Sequence, residues 1–226
     1  MNEFFDDFYN FGGFGPSIKP TQSTAEMLNY FDGKLPARLL EYWQEYGFCG
    51  WGEGIFWTVN PDDYKDILAQ WLSDTSFEQR EIDSVDKYYV IERSAFGRLF
   101  IWGETSGQSI KINPSYGMIL PSDSTDELIE DGPNLSLDLF FATISKDDME
   151  EEDLDEKPLF EPAMAKLGPL DADEMYGFVP ALAIGGAPKL ENLQKVKVIE
   201  HLTFLVDLGE KTVMADIFAM SNALHK

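Results

Sequence analysis

The spacing of apolar residues predicts helices in the first third of the chain. Apolar side chains recur at helical intervals over residues 27–31, 39–46 and 64–72. A capping box, a proline and an Asn-Pro pair precede these three segments, and Gly47 ends the second. The first twenty residues show neither helical nor strand spacing, and their glycines predict an irregular loop.

After residue 81 the spacing changes to the alternation of β-strands. Four short runs rich in β-branched and aromatic residues are separated by turn residues, which predicts antiparallel neighbours. Beyond residue 134 the pattern indicates helices again, with one buried strand and tight turn at 175–186. The predicted class is therefore α+β: N-terminal helices plus an antiparallel β-meander, followed by a smaller, mostly helical C-terminal domain. The predicted strands are 88–92, 99–102, 109–112 and 116–120, and the later helices are 134–144, 158–167 and 189–208.

The charge of the chain limits what it can bind. It has 41 acidic and 17 basic residues, a formal net charge of −24 at pH 7. Nucleic acids and anionic membrane surfaces attract Lys and Arg, so we expect neither as a partner. Because 44% of the residues are hydrophobic, the acidity is not that of a disordered tail.

The negative charge is concentrated in one quarter of the chain. Residues 121–176 contain 18 acidic and 3 basic residues, and the densest run is 147–156. Such a run is either a solvated linker or a docking surface for a basic partner. On the second interpretation, an exposed aromatic residue would add an anchor. The candidate partner-binding residues are Asp147, Asp148, Glu150, Glu151, Glu152, Asp153, Asp155, Glu156, Asp171, Asp173 and Phe14.

Catalytic chemistry has little support in the sequence. His201, His225 and Cys49 are too few for a zinc site, and Cys49 lacks a neighbouring cation that would activate it. We therefore predict no catalytic residue, metal or cofactor. Carboxylates are so numerous that a carboxylate-dependent hydrolase and a calcium-binding interaction scaffold remain as alternatives.

The sequence also suggests where the protein acts. A single cysteine cannot form an internal disulfide, and the first residues lack the basic and apolar parts of a secretory signal. The apolar stretch at 175–188 is interrupted by glycine and proline and is too short to span a bilayer. We expect a soluble, cytoplasmic protein.

Two segments resemble known families. Residues 35–47 (LPARLLEYWQEYG), with WGEG at 51–54 and Asn60-Pro61, resemble the GAD-like domain. Residues 175–186 (MYGFVPALAIGG), with ENL at 191–193 and EHL at 200–202, resemble the Tdi-type C-terminal domain of type VI secretion immunity proteins. This resemblance divides the chain into domains 1–130 and 131–226, with an acidic junction at about 147–156.

The resemblance implies a bacterial antitoxin rather than an enzyme. Proteins of this kind bind a co-encoded effector, typically a DNase, so the implied partner is one basic toxin molecule in a 1:1 complex. An acidic surface would then cover the DNA-binding or catalytic face of the toxin. The motif positions are expected to be structural rather than toxin contacts; they are Gly47, Trp51, Gly177, Pro180, Gly185, Gly186 and His201.

Overall fold

One large sheet organises the protein in the computed structural model, which describes residues 2–209 and 211–216. Its first seven strands follow one another antiparallel, and the last strand pairs parallel with β7. A second sheet consists of β8 and β9. The strands are β1 (Ile18–Thr21), β2 (Phe48–Trp51), β3 (Phe56–Thr58), β4 (Tyr88–Ser94), β5 (Leu99–Gly103), β6 (Gly107–Asn113), β7 (Met118–Pro121), β8 (Glu174–Phe178), β9 (Leu193–Lys197) and β10 (Thr212–Val213).

Helices cover both faces of the large sheet. Phe56 packs its ring against Phe141, whereas its neighbour Trp57 lies against Arg93 on the opposite face, where Arg93 also lies close to Tyr64. The helices are α1 (Glu3–Asp6), α2 (Ala25–Phe31), α3 (Ala37–Tyr46), α4 (Pro61–Leu72), α5 (Ser76–Ile82), α6 (Thr125–Thr143), α7 (Phe160–Leu167) and α8 (Val198–Leu208). The α+β class and the antiparallel meander are thus confirmed.

The N-terminal segment is ordered, which corrects the predicted loop. Residues 3–11 form α1 and a π-helical turn, and residues 18–21 form the edge strand β1. Phe5, Phe8 and Phe14 are each at most 1% exposed, so the burial of aromatic surface holds this segment on the sheet. Periodicity could not show this because the segment is too short to display a repeat.

Helix α6 begins nine residues earlier than predicted, at Thr125. Gly132 interrupts it with φ 78°, and Pro133 follows inside the helix. The domain division after residue 130 falls two residues before this interruption and stays a prediction. Beyond the kink, the buried Asp138 accepts a 2.6 Å hydrogen bond from the Tyr42 hydroxyl, which joins α6 to α3.

The predicted helix at 189–208 is wrong in its first half. Residues 193–197 form strand β9, and the helix begins at Val198. The reason is tertiary, because pairing with β8 gives these residues hydrogen-bond partners across the ladder from Phe178 to Glu174. His225 lies outside the described residues.

Candidate partner-binding surface

The acidic segment, residues 147–156, is folded against the sheet rather than solvated throughout. A 3-10 helical turn spans Asp147–Met149, and the Met149 side chain is completely buried. Glu152 forms an isolated antiparallel β-bridge with Pro158. A solvated linker therefore does not describe Met149, Glu150 and Glu151, whereas most other residues of the run are exposed. Parts of the run face the protein and parts face water, and the two groups have different roles.

Glu150 caps a helix. Its Oε1 atom accepts hydrogen bonds from the backbone N–H groups of Leu159 (3.2 Å) and Phe160 (2.9 Å), at the beginning of α7. Partial burial raises the pKa of Glu150, and the backbone N–H donors oppose that rise. Its carboxylate is already occupied within the chain.

Glu151 forms a buried ion pair with Arg98. Its Oε1 lies 2.9 Å from the Arg98 guanidinium and 3.3 Å from the Asn113 amide nitrogen, and the residue is 5% exposed. Burial raises the pKa of Glu151, while Arg98 and Asn113 favour its charged form. Arg98 also donates to the backbone carbonyls of Asp148 and Glu150. One guanidinium therefore holds the segment in place.

The structure corrects three candidate residues. Glu151 is buried and Glu150 is half-buried, with both carboxylates engaged inside the protein, so neither offers a free charge to a partner. Phe14 is fully buried between Phe8 and Phe56 and cannot act as an anchor. The exposed carboxylates of the run are Asp147, Asp148, Glu152, Asp155 and Glu156, with Asp153 partly exposed.

A groove borders the acidic segment. It has a volume of about 670 Å³, and Glu152, Asp153 and Pro188 are among the residues that line it. Tyr116, which is 44% exposed, and Met118 add apolar surface to it. We call this feature the acidic groove. It combines exposed carboxylates with an apolar lining, as protein–protein interfaces commonly do.

Asp171 and Asp173 lie on the loop before β8, and each has a lysine partner. Lys19 pairs with Asp171, and Lys197 pairs with Asp173 at 2.5 Å. All four side chains are at least 40% exposed, so water and salt screen both pairs. These aspartates are accessible, but their charge is locally balanced.

The motif residues near the C-terminus pack tightly. A Cβ atom on Gly177 would lie 2.6 Å from Nε2 of His201, and one on Gly186 would lie 2.0 Å from the carbonyl oxygen of Pro180. Gly185 has φ 91°, which favours glycine. His201 is 8% exposed, and burial lowers its pKa.

The motif residues of the first half have similar surroundings. Gly47 has φ 73°, and a Cβ atom there would lie 2.4 Å from the carbonyl oxygen of Thr21. Trp51 is 1% exposed and packs against Phe5 and Phe8. These surroundings are those expected of structural positions in both halves of the chain, and the structural role stays a prediction.

Reactive groups are buried or separated. Burial raises the pKa of the Cys49 thiol to about 12. Glu92 is fully buried, and burial raises its pKa well above the usual value. Within residues 2–209 and 211–216, no three His, Cys, Asp or Glu residues are grouped so as to hold a metal ion. No helix in the same ranges is long and apolar enough to cross a membrane.

Sequence reasoning missed the residues that organise this surface. Arg98 lies in a turn and Asn113 at the end of β6, and neither belongs to a recognisable motif. Arg93 is fully buried and donates to the carbonyls of Ala172 and Glu174, which fastens the loop before β8 to the large sheet. Arg93 gave one signal in the sequence, because it lies within an apolar strand. A buried guanidinium requires hydrogen-bond acceptors, so this position indicates a contact with another segment of the chain.

The comparisons with known proteins agree with this architecture. Residues 4–116 match the family described as "GAD-like domain", and residues 134–209 match "T6SS immunity protein Tdi1, C-terminal". The crystal structure of Atu4351 from Agrobacterium tumefaciens is similar with a TM-score of 0.79 and 21% identity, covering 94% of this chain and 91% of that one. At this identity the likeness shows the fold alone.

No curated protein matches this chain. The two family matches occur in the order that the sequence motifs predicted, and the first spans half of the chain. The chain therefore belongs to the type VI secretion immunity proteins that join a GAD-like domain to a Tdi1-type C-terminal domain.

Proposed function

We propose that this protein neutralises a basic nuclease effector, a DNase, by covering its DNA-binding or catalytic face with the acidic groove and the carboxylates around it. The match of residues 134–209 to a type VI secretion immunity domain carries the proposal, because immunity proteins act by binding their effector. The complex is a 1:1 heterodimer formed in the cytoplasm, and the protein itself catalyses no reaction.

Electrostatics supports a nuclease as the partner. A protein that cleaves DNA presents cationic groups to phosphates, and a chain of net charge −24 is attracted to the same groups. Such attraction raises association rates by about 10 to 10³-fold. Rapid association matters for an inhibitor because each nuclease turnover before capture damages DNA.

The acidic groove offers more than charge. Arg98, through Glu151, fixes the backbone of the acidic segment, so Glu152 and Asp153 stand beside Tyr116 without first having to be ordered. A preordered surface loses less conformational entropy on binding than a mobile acidic tail. We therefore propose that the exposed carboxylates contact the effector, whereas Glu150 and Glu151 hold the acidic segment in place.

The test compares two triple variants of equal charge. The first is Asp147→Lys, Glu152→Lys and Asp155→Lys in the acidic segment. The control is Glu127→Lys, Glu130→Lys and Asp131→Lys on the exposed first half of α6. Both change the net charge equally, so a difference between them reports the local surface rather than general attraction.

The probe is the product of the adjacent effector gene, inactivated in its nuclease site. We expect a 1:1 complex by light scattering after size exclusion, and at least tenfold weaker binding for the first variant only. Protection of growing cells on co-expression should follow the same order. Absence of any complex with the unmodified protein, together with no protection, refutes the proposed function. Equal affinities of the two variants refute the assignment of the acidic groove.

A further inference from the structure

A second groove lies where the two family-matched regions meet. It has a volume of about 660 Å³. Met27, Phe48, Val59 and Tyr64 line it from the GAD-like region, and Val198 and Ile199 line it from the start of α8. We call it the apolar groove. Its walls come from both halves of the chain, so neither half forms it alone.

The polar atoms in this lining are largely engaged within the protein. The Thr58 hydroxyl donates a hydrogen bond to the carbonyl of Cys49 and accepts one from the Trp51 indole N–H. The Trp57 indole donates to the carbonyl of Gly54 at 2.7 Å, and Tyr64 lies close to the charged Arg93. A small-molecule site needs a small number of free polar groups placed so as to orient its ligand. This lining instead favours an apolar side chain.

Carboxylates that line the apolar groove favour a cationic group next to the bound apolar side chain. Asp63 lines the groove, and among the described residues no Lys or Arg forms an ion pair with it. Partial burial, and then the neighbouring charge of Asp62, raise the pKa of Asp63, so a cation placed beside it would stabilise the carboxylate. Asp173 also lines the groove, and its pair with Lys197 is exposed and exchangeable.

We propose that the apolar groove binds a segment of the effector in which an apolar side chain lies next to a lysine or arginine that pairs with Asp63. This inference rests on the proposed function, because that function supplies a basic protein partner. The apolar side chain would be the buried anchor of the complex, and the acidic groove would add steering and orientation. Interfaces commonly concentrate affinity in such an anchor surrounded by polar contacts.

The test uses Asp63→Lys, with Asp66→Lys as the matched control. Both aspartates are exposed residues of α4 and undergo the same charge change, but Asp66 does not line the groove. Asp63→Asn removes the charge with little change of shape, and Ile199→Glu places a carboxylate among the apolar residues. Thermal unfolding of each variant verifies the fold before binding to the inactivated effector is measured.

We expect at least tenfold weaker binding for Asp63→Lys and Ile199→Glu, a smaller loss for Asp63→Asn, and less than a threefold change for Asp66→Lys. If the unmodified protein binds the effector and the folded Asp63 and Ile199 variants bind equally well, the inference is overturned while the proposed function stands. If the unmodified protein forms no complex, the proposed function has failed first. A small molecule retained in the groove and detected by native mass spectrometry would also overturn the inference.

Discussion

Replacing Arg98 with methionine tests how the acidic segment is held. The substitution removes the cation that lies 2.9 Å from Glu151, together with its hydrogen bonds to the carbonyls of Asp148 and Glu150. Methionine retains most of the apolar length of the side chain, so the loss is chiefly electrostatic. Glu151 then keeps Asn113 as a weaker partner, at 3.3 Å.

The structure sets the size of the effect. Removing one partner of a buried ion pair costs about 3–5 kcal/mol because the other charge is left uncompensated. The Glu151 side chain is 6% exposed, but that of Arg98 is 22% exposed, so water reaches one end of the pair. We therefore expect Arg98→Met to lower the free energy of unfolding by about 2–3 kcal/mol at pH 7.

The dependence on pH identifies the cause. The pKa of Glu151 is raised in the folded protein, and it rises further without Arg98. When the pKa of a carboxyl group is higher in the folded state, its contribution to stability is fully present below the pKa of the unfolded state. That contribution is lost as the pH rises through the pKa of the folded state. The difference between Arg98→Met and the unmodified protein should therefore shrink as the pH falls from 7 toward about 4.3, the unfolded value for glutamate.

Urea unfolding at several pH values measures this difference, and a double-mutant cycle isolates the pair. Arg98→Met combined with Glu151→Gln should cost clearly less than the two single losses added together, because the second change removes the stranded charge. Additive losses that do not vary with pH would refute the reasoning. A structural arginine without electrostatic coupling to Glu151 would give that result.

Three further predictions test other parts of the fold. Glu92→Gln should stabilise the protein at pH 7, because burial raises the pKa of Glu92 and ionisation of this residue stabilises the unfolded chain. In urea unfolding the added stability should vanish near pH 4, and an increase that persists there contradicts this explanation. Gly177→Ala should cost about 1–3 kcal/mol, because its Cβ would lie 2.6 Å from His201, and an unchanged melting temperature would show that His201 can move freely. Phe14→Ala should cost about 3–5 kcal/mol, whereas Phe11→Ala should change stability little, since Phe11 is 82% exposed; equal melting temperatures for the two variants would contradict the assigned burial.

Local sequence was informative wherever one element could be recognised by its own spacing. Helix α4 follows the expected period, and its Asn60 cap accepts a hydrogen bond from the N–H of Asp62. The meander strands are short β-rich runs joined by short turns, so their order follows from chain connectivity. The family motifs likewise lie in contiguous segments, and both family assignments were therefore within reach of sequence analysis.

Strand β9 shows where local spacing fails to predict the conformation. Residues 193–197 precede a helix with an apolar face, and the helical pattern extends across them. Pairing with β8 decides their conformation, and that pairing depends on residues about twenty positions away. The same limit applies to the first twenty residues, where packing against the sheet replaces any intrinsic period.

The sequence by itself determined the α+β class, the family and the sign and concentration of the charge, because these depend on composition and contiguous patterns. Only the tertiary structure decided which charges are available to a partner. Glu151 and Glu152 are neighbours of identical chemistry, yet one is 5% exposed beside Arg98 and the other faces water. The difference arises because Arg98, 53 residues earlier in the chain, compensates one of the two carboxylates at a place where water is excluded.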